Sequence, residues 1–222
     1  KIYVNPGHGS YGPNDRPMAT IPYPNLSTTG MPDTLGFYES NTNLWKCLEL
    51  GRKLEEAGAV VMYSRTQSGP WPYAYPYSDY TWEAYKALPD YEAYNKALSV
   101  IAAESDAFEA DMFISVHSNA ATDGTSTNYP LLLYKGSDAT AANAGSKEMC
   151  ASIWPYLFEC MNSGLDPYSY YSLTKMNNRG CDDFYGYTLG VLKQSRPGLL
   201  TEGYFHTYQP ARHRALNPDY CK

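Results

Sequence analysis

The sequence predicts a single α/β domain: a mostly parallel, twisted β-sheet flanked by helices on both faces and carrying long aromatic-rich loop insertions. Three observations predict it. Apolar runs of strand length alternate with amphipathic stretches of helical period along the chain. No internal repeat or linker composition divides it. Its 222 residues are enough to bury one large core without exceeding the usual size of a domain. Residues 1–222 are therefore read as one domain.

Residues 2–4 (Ile-Tyr-Val) form a short buried strand that stops at the turn residues Pro6-Gly7 and delivers His8 onto a loop at its carboxyl end. In open α/β sheets, ligands bind at that edge. Residues 10–38 are rich in Pro, Gly, Asn, Ser and Thr without a period, which predicts a long surface loop. From Ser40 onward, Leu44, Leu48, Gly51 and Leu54 recur three or four apart and stop at Ala57-Gly58, a helix with a glycine end. Residues 59–63 (Ala-Val-Val-Met-Tyr) follow as a buried strand and complete a parallel strand–helix–strand unit.

Residues 68–90 are dense in Pro, Trp and Tyr and fit neither period, an aromatic surface lobe. Helical spacing returns over 91–108 through Tyr94, Leu98, Ile101 and Ala102. Residues 112–116 are a second buried strand, ending in His117-Ser118-Asn119. A strand is expected over 129–134, mostly helix over 139–161, and a strand region over 189–193 and 198–201 that leads to Glu202-Gly203.

Composition narrows the function. With 43% hydrophobic and 18% charged residues the chain is not disordered, and no apolar run reaches the roughly 18 residues of a membrane span. The net charge of −6 repels a phosphate backbone, which argues against nucleic acid as partner. Cys47, Cys150, Cys160, Cys181 and Cys221 show no CxxC pair or regular spacing, so most are expected reduced and buried. Cys150 and Cys160 would lie about 15 Å apart on one helix unless it breaks at Pro155. No leader precedes Ile2, so the chain reads as a mature or excised domain.

The chemistry gathers on one sheet edge, where His8, His117 and Glu202 arrive on strand ends and Glu39 sits at the start of a helix. Each alone has an ordinary reading: a polar loop histidine, a salt-bridged glutamate, an acid favoured at a helix N-terminus. Together, two imidazoles and a carboxylate make a ligand set for a catalytic Zn²⁺, and a second carboxylate left off the metal would handle protons.

The surrounding residues carry a resemblance. Val4-Asn5-Pro6-Gly7-His8-Gly9, the isolated Glu39, Ala110-Asp111-Met112-Phe113-Ile114-Ser115-Val116-His117-Ser118-Asn119-Ala120 and Arg196-Pro197-Gly198-Leu199-Leu200-Thr201-Glu202-Gly203-Tyr204-Phe205 occur in that order. In this the chain resembles the zinc-dependent N-acetylmuramoyl-L-alanine amidases of type 3 from the first strand to about residue 216. The resemblance implies one catalytic Zn²⁺ held by His8, Glu39 and His117, with Glu202 as the catalytic carboxylate. It further implies cleavage of the amide between N-acetylmuramic acid and L-alanine, with peptidoglycan or a muropeptide as partner at the periplasm or cell surface. Oligomeric state and stem-peptide preference are not legible.

The chain departs from the family's pattern in places. His8 and Glu39 stand 31 positions apart, longer than the family's gap, so residues 10–38 are an insertion beside the cleft. An arginine common in the family before the second histidine strand is replaced by something near Lys96. Where the family often has an asparagine after the late glutamate, this chain reads His206-Thr207-Tyr208. His206 is read as a surface or supporting histidine, His213 as solvent-facing, Arg65 as structural. Trp71, Tyr73, Tyr75, Tyr77, Tyr80 and Trp82 suit either sugar stacking or self-packing. Two other readings stay open: a metal-free module that binds peptidoglycan without cutting it, and a zinc hydrolase of the same fold acting on another peptide or acyl-sugar amide.

Overall fold

The computed structural model describes residues 1–8, 39–67, 96–121, 127–161, 178–208, 211 and 215. Within them the order is β1 (Ile2–Pro6), α1 (Glu39–Glu56), β2 (Val61–Tyr63), α2 (Leu98–Ala107), β3 (Met112–Asn119), β4 (Leu131–Tyr134), α3 (Ser146–Met161), β5 (Arg179–Gly180), α4 (Cys181–Tyr185), a 3-10 turn (Gly190–Leu192) and β6 (Gly198–Phe205). The predicted insertions at 10–38 and 68–90 lie outside the described residues, as do Cys221, His213 and the six Trp and Tyr residues of 71–82.

The strands form one six-stranded sheet in the order β2-β1-β3-β6-β4-β5. Every neighbouring pair is parallel except β4 with β6. From β1 the chain crosses to β2 on one side and then to β3 on the other. Crossovers of one hand running in opposite directions place α1 and α2 on opposite faces. The two cores agree. Val4, Ile114, Val116, Leu132 and Leu199 pack with Cys47 of α1 and Cys150 of α3. Tyr3, Phe113, Leu131, Leu133 and Leu200 pack with Ile101 of α2 and Val191 and Leu192 of the 3-10 turn. A sheet covered on both faces needs nearly continuous apolar strands, and β4 is buried at all four positions.

The reversal of strand order between β2 and β3 puts a crevice at the carboxyl ends of β1 and β3, where doubly wound sheets bind ligands. One polar row crosses the sheet beneath that crevice. Ser64 Oγ donates to Asn5 Oδ1 at 2.7 Å, and Asn5 Nδ2 donates to Ser115 Oγ at 2.8 Å, all three residues being buried. Farther along β1, the Tyr3 hydroxyl donates to Glu104 (2.6 Å), which also pairs with Lys96 (2.8 Å).

Several expectations change. The run at 189–193 is a 3-10 turn rather than strand: Gly190 meets Leu98 of α2 so closely that an added Cβ would lie 2.9 Å from Leu98 Cδ1, and Val191 and Leu192 plug the core from the side. Short apolar runs do not by themselves distinguish a strand from a core turn. Helix is absent from 139–145, where Gly145 holds a left-handed φ of 84°, and α3 starts at Ser146. It then continues through Pro155, keeping Cys150 and Cys160 on one helix. Cys47, Cys150 and Cys181 are free and buried, as expected, while Cys160 is exposed. β5 and α4 lie in a region with no predicted element. β5 is held from the side by Asp138, which accepts from Gly180 N at 2.6 Å and Arg179 Nε at 2.7 Å.

Candidate metal centre

His8 follows β1 by two residues with a φ of 64°, a left-handed conformation that turns the chain off the sheet and that histidine tolerates better than most residues. The preceding glycine is required for another reason. A Cβ on Gly7 would sit 2.3 Å from the imidazole of His117, so the ring occupies the space a side chain would need. Gly7→Ala is therefore expected to displace His117, destabilise the protein by about 1–3 kcal/mol as overpacked cores do, and reduce bound metal. A thermal melt with elemental analysis of the purified variant checks it; wild-type values for both would contradict the close approach.

Glu39 opens α1 and is almost completely buried. Its Oε2 lies 3.1 Å from His8 Nε2 and its Oε1 lies 3.5 Å from His117 Nδ1. The amide of Ser118 donates to Oε1 at 2.8 Å, and Asn43 Nδ2, one helical turn on, donates to the same oxygen at 3.4 Å. Arg65 ties the two approaching chains together: its Nη2 donates to Ser40 O at 2.8 Å and to Gly7 O at 3.3 Å, a structural role as read from the sequence. One candidate ligand atom from each of His8, Glu39 and His117 lies within 4.8 Å of the others, and the imidazole centroids are 5.1 Å apart.

Electrostatics suit a cation. Burial alone would raise the Glu39 carboxyl, yet the two imidazoles bonded to it hold it well below the ordinary range, so it is ionised. Burial lowers His117, leaving the neutral imidazole whose lone pair can coordinate. A buried carboxylate flanked by two imidazoles is a setting that a cation completes. Two neutral imidazoles and one carboxylate are the donors of a three-ligand zinc cage. The residues present fit that ion.

Glu202 lies beside this cluster. It sits within β6, level with His117 of β3 in the parallel register, not at a strand end as the sequence suggested. Strands lie about 4.8 Å apart, so two side chains level with each other on one face are neighbours. Glu202 is buried, and its Oε2 has no hydrogen-bond partner among the described residues. Burial pushes its carboxyl well above the ordinary value, and the charge of Glu39 adds to this against opposing pulls from Lys46 and the Tyr185 hydroxyl. Two neighbouring carboxyls are thus driven apart in proton affinity, Glu39 downward and Glu202 upward, the pattern that separates acid from base at active sites.

A stability consequence follows for the metal-free protein. Above the ordinary glutamate value of 4.5 the unfolded chain releases this proton while the folded chain keeps it, so rising pH favours unfolding through Glu202. Glu202→Gln removes the penalty. With chelator present, its melting temperature should exceed wild type by a few degrees at about pH 7, where about 1 kcal/mol moves a chain of this size by 2–4 °C, and the gain should vanish below about pH 4. A gain that grows as pH falls would contradict the assignment.

The four residues singled out in the sequence therefore gather on one side of the sheet, His8 just past β1, Glu39 at the start of α1, His117 in β3 and Glu202 level with it in β6. Two supporting groups were not anticipated. Asn43 was legible as the i+4 neighbour of Glu39 on a helix; the Ser118 contact uses a backbone amide and leaves no side-chain signal.

Comparison with known proteins then adds the following. The family described as N-acetylmuramoyl-L-alanine amidase matches residues 2–217. Comparison with curated proteins gives no match. Among solved structures, the fold is similar to the CwlD amidase from Clostridioides difficile in complex with the GerS lipoprotein, with a TM-score of 0.64 and 19% identity over 99% of this chain and 89% of that one. It is also similar to the N-acetylmuramoyl-L-alanine amidase from Clostridium difficile 630 (TM-score 0.62, 19% identity, 99% and 87% covered). A third likeness is to the amidase Ami1 from Mycobacterium smegmatis (TM-score 0.59, 15% identity, 99% and 88% covered). At these identities the likeness is one of fold.

Proposed function

The chain belongs to the N-acetylmuramoyl-L-alanine amidase family, and from that premise we propose that it hydrolyses the amide between the lactyl group of N-acetylmuramic acid and L-alanine in peptidoglycan, using one Zn²⁺ held by His8, Glu39 and His117 and Glu202 as proton carrier. The observation that carries this reading is the convergence of two imidazoles and a buried carboxylate within 4.8 Å, with a second buried carboxyl, that of Glu202, level with His117 on the next strand.

A bound zinc supplies Lewis acidity to the amide carbonyl and to a water, lowering the barrier to attack near neutral pH. The protein's own groups do the rest. His8 and His117 present imidazole nitrogens, and Glu39 supplies the one negative charge of the cage. Glu202 accepts the proton that water must lose as the new C–O bond forms and returns it to nitrogen as the C–N bond breaks, so the amine departs neutral. Its buried setting raises the carboxyl's proton affinity, in the direction that the return step needs. Among the described residues no helix is long and apolar enough to cross a membrane. We place the action in the periplasm or at the cell surface, where the substrate lies.

The test is direct. Purified protein should carry zinc stoichiometric with the chain and release free amine from muropeptides; a chelator should abolish release and added zinc restore it. Mass spectrometry of digested sacculi should show sugar and peptide parted at the lactyl amide. Peptidoglycan binding without metal or cleavage would leave only a binding module, and a cut elsewhere would change the substrate.

A further inference from the structure

Pairing between β1 and β3 ends at Pro6 opposite Val116, with Gly7 N donating to Val116 O at 3.0 Å as the last rung. Ser118 lies beyond that point, and its amide turns to Glu39 Oε1. On its other side the β3–β6 ladder slips. His117 is level with Glu202 and Asn119 with Phe205, so two steps along β3 meet three along β6, a bulge opposite Ser118. Ser118 thus sits past the end of one ladder and opposite the bulge of the other.

One side chain reaches Ser118 there. His206, just past the end of β6, is buried, and its Nδ1 lies 3.1 Å from the Oγ of Ser118, itself buried. The backbone N–H of His206 also donates to Asn119 O at 2.8 Å, closing the ladder again. Ser118 is thus held by its hydroxyl on one side while its amide holds the Glu39 carboxylate on the other.

We propose that His206 is a positioning residue for Glu39, acting through Ser118: the imidazole fixes the Ser118 peptide so that its amide orients the carboxylate between His8 and His117. The sequence reading left His206 as a surface or supporting side chain; its burial and its contact one hydrogen bond from the carboxylate give it this task. The inference rests on the reading of Glu39 as a metal ligand. Outer partners of ligating groups set ligand orientation and influence metal affinity.

The test compares His206→Leu, which fills the space without the hydrogen bond, with His206→Asn, whose amide reaches about as far as Nδ1. Zinc affinity measured by competition with a chromogenic chelator should fall about 10–100-fold in the leucine variant and remain near wild type in the asparagine variant. The visible spectrum of the Co²⁺-substituted protein should shift only for leucine. In the metal-free protein, hydrogen exchange of the Ser118 amide, read by NMR, should accelerate for leucine and not for asparagine. Ser118→Ala combined with His206→Leu should weaken zinc no more than either change alone. Wild-type zinc affinity and unchanged Ser118 exchange in the leucine variant would overturn the proposal. Should the wild-type protein bind no zinc, the ligand reading fails, while Ser118 exchange still decides whether His206 holds the amide that Glu39 accepts.

Discussion

Glu202→Gln is expected to keep zinc stoichiometric with the chain while lowering turnover by about 100-fold or more, the usual worth of general acid–base help. Glutamine matches glutamate in shape, so the buried site beside His117 is refilled and the cage of His8, Glu39 and His117 is left intact. What disappears is the group that carries the proton between water and the departing nitrogen. Steady-state release of amine from a defined muropeptide, with metal content measured on the same sample, separates the outcomes. Unchanged turnover removes Glu202 from the mechanism. Loss of zinc together with activity would place Glu202 among the ligands, which its position on the far side of His117 from β1 does not suggest.

The second large effect concerns the cage. His8→Ala and His117→Ala should each lose zinc and activity together, because a three-donor site deprived of one imidazole retains too few ligands. His8→Gly makes the same test with a control built in. Glycine adopts the left-handed conformation seen at His8 without strain, so this variant removes the imidazole with no backbone clash and should still fold in chelator while failing to retain metal. Elemental analysis and a thermal melt of the apo protein suffice. A metal-replete His8→Gly protein would show that the ligand assignment is wrong. His117→Ala is the harsher change, since it empties the space above Gly7 and leaves Glu39 with one imidazole fewer.

Much of this centre was legible in the chain. The α/β alternation could be read because β1, α1, β2 and β3 each carry an unmistakable period or apolar run, and those signals are local. The doubly wound arrangement then followed from handedness. His8 and His117 were legible because each follows a buried strand in a distinctive motif, and Glu39 because it opens an amphipathic helix. Less was legible where local signal was weak: β5 has two residues, α4 has five, and the apolar run of 189–193 has the composition of a strand but serves as a core-plugging turn. His206 shows the same limit. Its neighbours in sequence give no reason for burial, which depends on Ser118, 88 positions away.

By itself the sequence determined the donor types, the order of the landmarks and the α/β class, because residue chemistry and short-range periodicity survive in one dimension. Only the tertiary structure decided that Glu202 stands level with His117, that the imidazole of His117 occupies the space above Gly7, and that Ser118 meets Glu39 with its amide and a distant histidine with its hydroxyl. The reason is that strand register and desolvation belong to neighbours brought together by folding. Glu39 and Glu202 are the same residue type, and only their surroundings push the proton affinity of one down and of the other up.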